Sequence, residues 1–178
     1  MKTADFDFAL PPERIAQAPA RPRDSARLLR VDGDTLGDFI VRDLPDLLRP
    51  GDLLVFNDTR VIPAQLDATR GQAKIGITLH KALPDGDWMA FARNAKRLKQ
   101  DDTLRFGEAM EALIVARDGG EVRLRFRVEG GSLDAALDKV GRMPLPPYIR
   151  RTGDVAEDRR DYQTMFAREA GAVAAPTA

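Results

Sequence analysis

One segment limits the fold of this chain more than any other. In LIVARDGGEVRLRFRV, residues 113–128, Gly119-Gly120 stands between two apolar runs and marks a tight hairpin turn. After the turn, Val122, Leu124, Phe126 and Val128 alternate with Glu121, Arg123, Arg125 and Arg127. A period of two puts the apolar set on one face of a strand and the arginines on the other. The flanking GQAKIGITLHKAL and DWMAFARNAKRLK add further short, loosely alternating strands between turns. Residues 63–142 therefore read as a small antiparallel β-barrel domain. SLDAALDKVG fits an amphipathic helix inside this block, capped by Ser132, with Leu133, Leu137 and Val140 on one face and Gly141 closing it.

The barrel interrupts a chain of different character. Asp32-Gly33 in RLLRVDGDTLGDFIV predicts a second hairpin, and LPPERIAQ a short helix with prolines in its first turn. Another short helix runs from Asp43, as N-cap, to Arg49. Leu53–Phe56 (LLVF) then reads as a strand. Beyond the barrel, three prolines in Met143–Ile149 demand an extended or turning path. GDVAEDRRDYQTMFA suits a helix, and the uncharged GAVAAPTA suits a strand that expects neighbours. Residues 1–62 and 143–178 thus read as parts of one discontinuous domain around the insertion.

Composition excludes several classes. With 28 basic and 28 acidic residues there is no bulk attraction to nucleic acid or membrane, although a local patch is compatible with that balance. Without cysteine, disulfides and thiolate sites are impossible, and the single histidine, His80, rules out a histidine metal pair. A hydrolytic site from Asp24, Ser25 and His80 needs a coincidence between distant segments; His80 reads as an exposed or hydrogen-bonded strand residue. No dinucleotide fingerprint, phosphate loop, zinc-protease helix or nucleophile elbow occurs. With no apolar run long enough to span a bilayer and no leader-like N-terminus, a cytoplasmic protein is expected.

Two places carry chemistry. Asn57, Asp58, Thr59 and Arg60 follow LLVF directly. Polar groups past the carboxyl end of a strand commonly line a ligand crevice, and the arginine suits a carboxylate or phosphate. The same residues also suit an Asx-turn with Arg60 paired to Asp58, and the residue types do not separate the two readings. The second place is the cationic set Lys96, Arg97, Lys99, Arg123, Arg125 on the barrel: either an RNA contact or a solvated strand face diluted by Glu121 and Glu129.

LPPERIAQAPARPRDSARLL, GDLLVFNDTRVIPAQL, AKRLK, and MPLPPYIRR with DYQTMFAREAGAVAAPTA, in that order, resemble successive blocks of the S-adenosylmethionine:tRNA ribosyltransferase-isomerases of queuosine biosynthesis. The resemblance spans nearly the whole chain. It implies an α/β fold: an incomplete α/β barrel-like domain interrupted by the small antiparallel β-barrel. It implies transfer and isomerisation of the ribosyl part of S-adenosylmethionine onto 7-aminomethyl-7-deazaguanine in tRNA, giving epoxyqueuosine-tRNA, adenine and methionine. S-adenosylmethionine is then a consumed substrate, no metal or other cofactor is called for, and a monomer with no membrane partner is expected. Family members continue beyond GAVAAPTA for roughly as much chain again, so a non-catalytic tRNA-binding fragment is the alternative. Gln65 and Ala26 depart from the family pattern, which has arginine and serine there. The resemblance points to these positions and residue chemistry to their roles: Asp58 is the candidate base or ribose-hydroxyl ligand, oriented by Asn57; Arg60 suits the methionine carboxylate or a tRNA phosphate; Thr59, Tyr148, Tyr162 and Arg27 are further candidate substrate contacts.

Overall fold

The computed structural model describes residues 1–108, 110–150 and 156–174. Two compact units are distinguished, Met1–Val55 with Pro146–Thr152, and Phe56–Leu145 with Gly153–Ala178.

In the first unit, strands β1 (Arg27–Asp32) and β2 (Thr35–Ile40) form an antiparallel hairpin. Its two loop residues are Gly33-Asp34, one position later than the expected Asp32-Gly33, because Asp32 still pairs with Thr35 and Gly33 takes the left-handed φ of +60°. The helix expected in LPPERIAQ shrinks to a single 3-10 turn, Pro12–Arg14. The next one shrinks to α1 (Leu44–Leu47). Asp43 does not cap α1; its carboxylate accepts instead from the Ile40 amide at 3.0 Å, closing the preceding 3-10 turn. The expected strand Leu53–Phe56 does not form. That segment has no ladder partner among the described residues, and its four apolar side chains are exposed.

The second unit begins with β3 (Thr59–Val61), so the polar quartet starts a strand rather than following one. The barrel consists of β4 (Gln65–Arg70), β5 (Ala73–Ala82), β6 (Trp88–Arg93), β7 (Thr103–Phe106), β8 (Met110–Asp118) and β9 (Glu121–Val128). It closes in the order β4-β5-β6-β9-β8-β7, with every pair antiparallel. Closure removes the free strand edges. Gly119-Gly120 turns the β8–β9 hairpin as the sequence predicts. Ile75, Ile77 and Leu79 of β5 and Val122 and Leu124 of β9 point inward to meet Leu66, Leu104, Phe106 and Ile114. Phe106 is tilted against Phe126 at 5.6 Å, filling one end.

Helix α2 (Leu133–Val140) follows, with Ser132 Oγ accepting from the Ala135 amide at 3.2 Å. It buries Ala136 and Leu137, while Val140 at its end is partly exposed. Helix α3 is confined to Ala156–Asp161, and the residues just before it, 151–155, lie outside the described residues. A C-terminal strand, β10 (Glu169–Ala172), forms parallel to β3 but begins earlier than expected, sharing only Gly171 and Ala172 with GAVAAPTA; Val173 and Ala174 leave the ladder, and the last four residues lie outside the described set. Among the described residues no helix is long and apolar enough to cross a membrane.

Candidate functional site

Strand β3 is short and needs both edges satisfied. On one side β10 pairs with it, Glu169 opposite Thr59 and Ala170 opposite Arg60, then bulges at Gly171 (φ +149°) before Ala172 meets Val61. On the other side no strand pairs with it among the described residues. The Gln163 side-chain amide takes its place: the Val61 N–H donates to Oε1 at 2.8 Å and Nε2 donates to the Val61 carbonyl at 3.0 Å. Nε2 also lies 3.3 Å from the Arg159 carbonyl, tying α3 to β3.

The quartet divides its labour. Asn57 Oδ1 accepts from the Thr59 amide at 2.9 Å, the Asx-turn that the residue types allowed. The Asp58 carbonyl accepts from the backbone amides of Arg168 (2.6 Å) and Glu169 (3.1 Å). Its carboxylate Oδ2 pairs with Arg168 Nη2 at 2.6 Å, so the ion pair expected with Arg60 is made with Arg168 instead. Oδ1 has no hydrogen-bond or ion-pair partner among the described residues. Phe56 stacks on Phe166 at 4.2 Å, closing the Asp58 turn against the chain that leads into β10.

Arg60 is left without a hydrogen bond or ion pair among the described residues. It lines a cleft of about 220 Å³ together with Pro63, Asp134, Asp138, Met143 and Arg159. Gly141 shapes this cleft. Its φ of −85° is open to any residue, but a Cβ there would lie 2.1 Å from the Pro63 carbonyl oxygen and 2.6 Å from that of Leu137. Glycine is required by this close approach rather than by helix termination. Arg159 Nη2 donates to the Gly141 carbonyl at 2.7 Å and Nη1 stands 3.6 Å from Asp138. Asp134, one turn before Asp138 on α2, has no partner of its own among the described residues. The cleft thus offers one uncommitted cation and one uncommitted anion. Its volume, below the usual 300–1,000 Å³ of small-molecule pockets, suits the end of a ligand rather than all of it.

The other expected site residues lie elsewhere. Tyr162 continues α3, its amide bonded to the Asp158 carbonyl at 2.9 Å, and it is partly exposed. Arg27 and Tyr148 belong to the first unit: Arg27 pairs with Asp38 at 3.3 Å, and the Tyr148 carbonyl accepts from Gln17 Nε2 at 3.1 Å. Lys96 and Lys99 are exposed on a turn anchored by buried Ala95 and Leu98, whose carbonyl accepts from Arg117 Nη1 at 2.6 Å. The Arg97 side chain lies outside the described residues.

Arg123 and Arg125 are engaged in a way the alternation did not reveal. Asp87, only 1% exposed, receives Arg125 Nε at 2.8 Å, Arg125 Nη2 at 3.0 Å and Arg123 Nε at 2.7 Å, while Arg123 Nη2 also meets Asp85. The hydrogen bond from Arg125, helped by Arg123 and opposed by burial, holds the Asp87 carboxyl below its ordinary range and raises Arg125 in return. Two of the three outward arginines of β9 therefore brace the β5–β6 loop. The signal for this was the Asp85-Gly86-Asp87 turn, placed by the hairpin register opposite Arg125. Gln163 and Asp134 gave no comparable signal, since each sits in an ordinary polar face.

The second unit thus combines a closed antiparallel barrel with a short parallel strand pair, and Arg60 of that pair lines a cleft holding both cationic and anionic side chains. The family model described as "Queuosine biosynthesis protein" matches residues 3–178, and the chain belongs to that family. It is 59% identical over 179 residues to the S-adenosylmethionine:tRNA ribosyltransferase-isomerase of Gluconacetobacter diazotrophicus, covering 98% of this chain and 50% of that protein. The protein of the same name from Sphingopyxis alaskensis is 58% identical over 182 residues, covering 100% and 51%. The chain spans about half the length of the curated relatives it matches. A crystal structure of S-adenosylmethionine tRNA ribosyltransferase from Thermotoga maritima matches with 38% identity and a TM-score of 0.34, covering 68% of this chain and 44% of that one.

Proposed function

We propose that this chain supplies part of an S-adenosylmethionine:tRNA ribosyltransferase-isomerase, which transfers and isomerises the ribosyl group of S-adenosylmethionine onto 7-aminomethyl-7-deazaguanine in tRNA. The products are epoxyqueuosine-tRNA, adenine and methionine. In the full-length protein, residues 1–62 and 143–178 contribute to a discontinuous α/β barrel-like domain around the inserted β-barrel. The protein acts as a cytoplasmic monomer and consumes S-adenosylmethionine as a substrate.

One observation carries this reading: the uncommitted Arg60 guanidinium and Asp134 carboxylate share one cleft. The methionyl end of S-adenosylmethionine presents a carboxylate, an ammonium and a sulfonium. Arg60 suits the carboxylate by a two-pronged contact, and Asp134 suits the positive groups. Sulfonium charge acidifies the neighbouring ribose carbon, so a base there generates a carbon nucleophile, and a later proton transfer lets adenine depart. Asp58, with Oδ1 open and Oδ2 steadied by Arg168, is the candidate base, and Asn57 fixes the turn that presents it. Thr59 and Tyr162, sequence neighbours of the cleft-lining Arg60 and Gln163, serve as substrate contacts in this reading. Lys96, Arg97 and Lys99 contact the tRNA backbone, and the solvent-facing parts of Arg123 and Arg125 add a separate contact.

The test is adenine release from S-adenosylmethionine in the presence of tRNA carrying 7-aminomethyl-7-deazaguanine. Release by the chain, with Asp58→Asn slower by about a hundredfold or more, supports the enzyme and the base. Unchanged turnover in Asp58→Asn removes Asp58 from the mechanism. The second reading, a non-catalytic tRNA-binding fragment, is favoured by the half-length match to the relatives. Retained tRNA binding without adenine would establish it.

A further inference from the structure

Away from the cleft, the outer face of β4, β5 and β6 carries an arrangement that barrel packing does not call for. Phe91 is 57% exposed in the middle of β6, where a solvated strand face ordinarily carries a polar residue. Its ring stacks on His80, with centroids 4.4 Å apart and planes at 24°. His80 reaches it because the β5–β6 register slips between Leu79 and Lys81, and a bulge of this kind re-aims the side chain it carries. Glu121 Oε1 stands 2.7 Å from His80 Nε2 without forming a directed hydrogen bond. The aromatic pair is thus held from behind.

Beside Phe91, Arg93 lies over Gly76. A Cβ on Gly76 would stand 3.1 Å from Arg93 Nε and 3.3 Å from Nη2, so a residue that weakens a strand interior here makes room for a guanidinium. The two flank a surface concavity of about 350 Å³, shared with Gln65, Asp67, Thr78 and Phe91. Of its two charged lining residues, Asp67 is taken by Arg142 at 2.6 Å, whereas Arg93 has no partner among the described residues; Lys74, two positions before Gly76 on the same strand face, has none either. An open aromatic face, a guanidinium at its edge, amide and hydroxyl groups alongside and an uncompensated positive charge match an unpaired nucleotide: the base stacks and the phosphate is neutralised.

We infer that the β4–β5–β6 face is a stacking platform for an unpaired RNA nucleotide, with Phe91 under the base and Arg93 and Lys74 on the flanking phosphates. This rests on the tRNA-modifying reading above and adds a contact surface to it, distinct from the cations around Lys96.

The experiment titrates the chain with a fluorescein-labelled anticodon stem-loop RNA and with a blunt RNA duplex of equal charge, using wild type, Phe91→Ala, Phe91→Trp and Arg93→Gln. Both side chains are exposed, and an unchanged thermal midpoint checks the fold. Phe91→Ala is expected to weaken stem-loop binding about tenfold or more and to leave duplex binding alone. Phe91→Trp retains affinity, and Arg93→Gln lowers the slope of log K against log salt by about one. Equal stem-loop affinity in Phe91→Ala and wild type overturns the platform while the tRNA reading stands. Equal losses on stem-loop and duplex also overturn it. A self-association abolished by Phe91→Ala with RNA binding intact would make the face a protein interface and overturn it as well. If the wild-type chain binds no stem-loop, the platform and tRNA recognition by this chain fall together.

Discussion

Among the described residues, every buried apolar side chain lies between Val61 and Met143; residues 1–55 and 146–150 bury none. Both units contain antiparallel hairpins of similar local quality. β1–β2 pairs six residues in unbroken register, yet Leu29, Val31 and Leu36 on it remain exposed. β8–β9 pairs a comparable length and closes over Leu104, Phe106 and Ile114. Hydrogen bonding is alike in the two; burial is not. Since a lone two-stranded hairpin is marginal in water, the difference teaches that local turn chemistry sets where strands form and tertiary burial decides which of them persist.

Amide hydrogen exchange tests this contrast most sharply. Barrel amides such as those of Ile77, Ile114 and Leu124 are expected to exchange only through global opening, while β1–β2 amides open locally at almost no cost. Protection is expected to differ by about a thousandfold or more. Equal protection in the two hairpins would show that the first unit has a source of stability other than burial.

The next largest effect lies in the barrel. Asp87 is buried beneath Arg123 and Arg125, and Asp87→Asn removes the charge that both guanidiniums face. The expected loss is about 3 kcal/mol, at the lower end for breaking a buried pair because both arginines reach solvent. The pH dependence follows from the depressed carboxyl. The unfolded chain binds this proton near 3.8 and the folded chain only at lower pH, so the contribution is full above 3.8 and is lost as pH falls from there towards the folded value. Denaturant midpoints of wild type and Asp87→Asn should therefore converge in acid. Midpoints that stay apart at every pH would show the destabilisation to be packing alone.

Legibility in the sequence followed the same division. The barrel was readable because inward alternation, Gly119-Gly120 and the Ser132 cap all act over a few residues and agree with the burial that follows. Leu53–Phe56 carried an equally apolar pattern and failed, because a strand also needs a neighbour, which no local signal records. Around the cleft, the polar run at residues 57–60 stands out in the sequence, and the structure puts Arg60 in the cleft lining. The ion-pair partner of Asp58 was not legible, since Arg168 stands 110 positions away. The arginine row of β9 was read correctly as outward. Its neutralisation by Asp87 was hidden because a buried carboxylate on the outer face looks, in sequence, like an ordinary turn residue.

The smallest expected effect probes the strand pair that holds the site. β3 has a strand on one edge and a single side-chain amide, Gln163, on the other. Gln163→Ala leaves the Val61 N–H and carbonyl without those partners, and Val61 is 3% exposed, so water does not replace them freely. Each lost bond costs about 0.5–1.5 kcal/mol, which sets the local cost at about 1–3 kcal/mol. Because the barrel ladder closes without Gln163, the loss should appear as faster exchange at the Val61 amide with Ile77 and Leu124 unchanged. A uniform rise across all three would mean that β3 and the barrel open as one cooperative unit. In that case Arg60 is positioned by the barrel core, not by the amide that stands in for a strand.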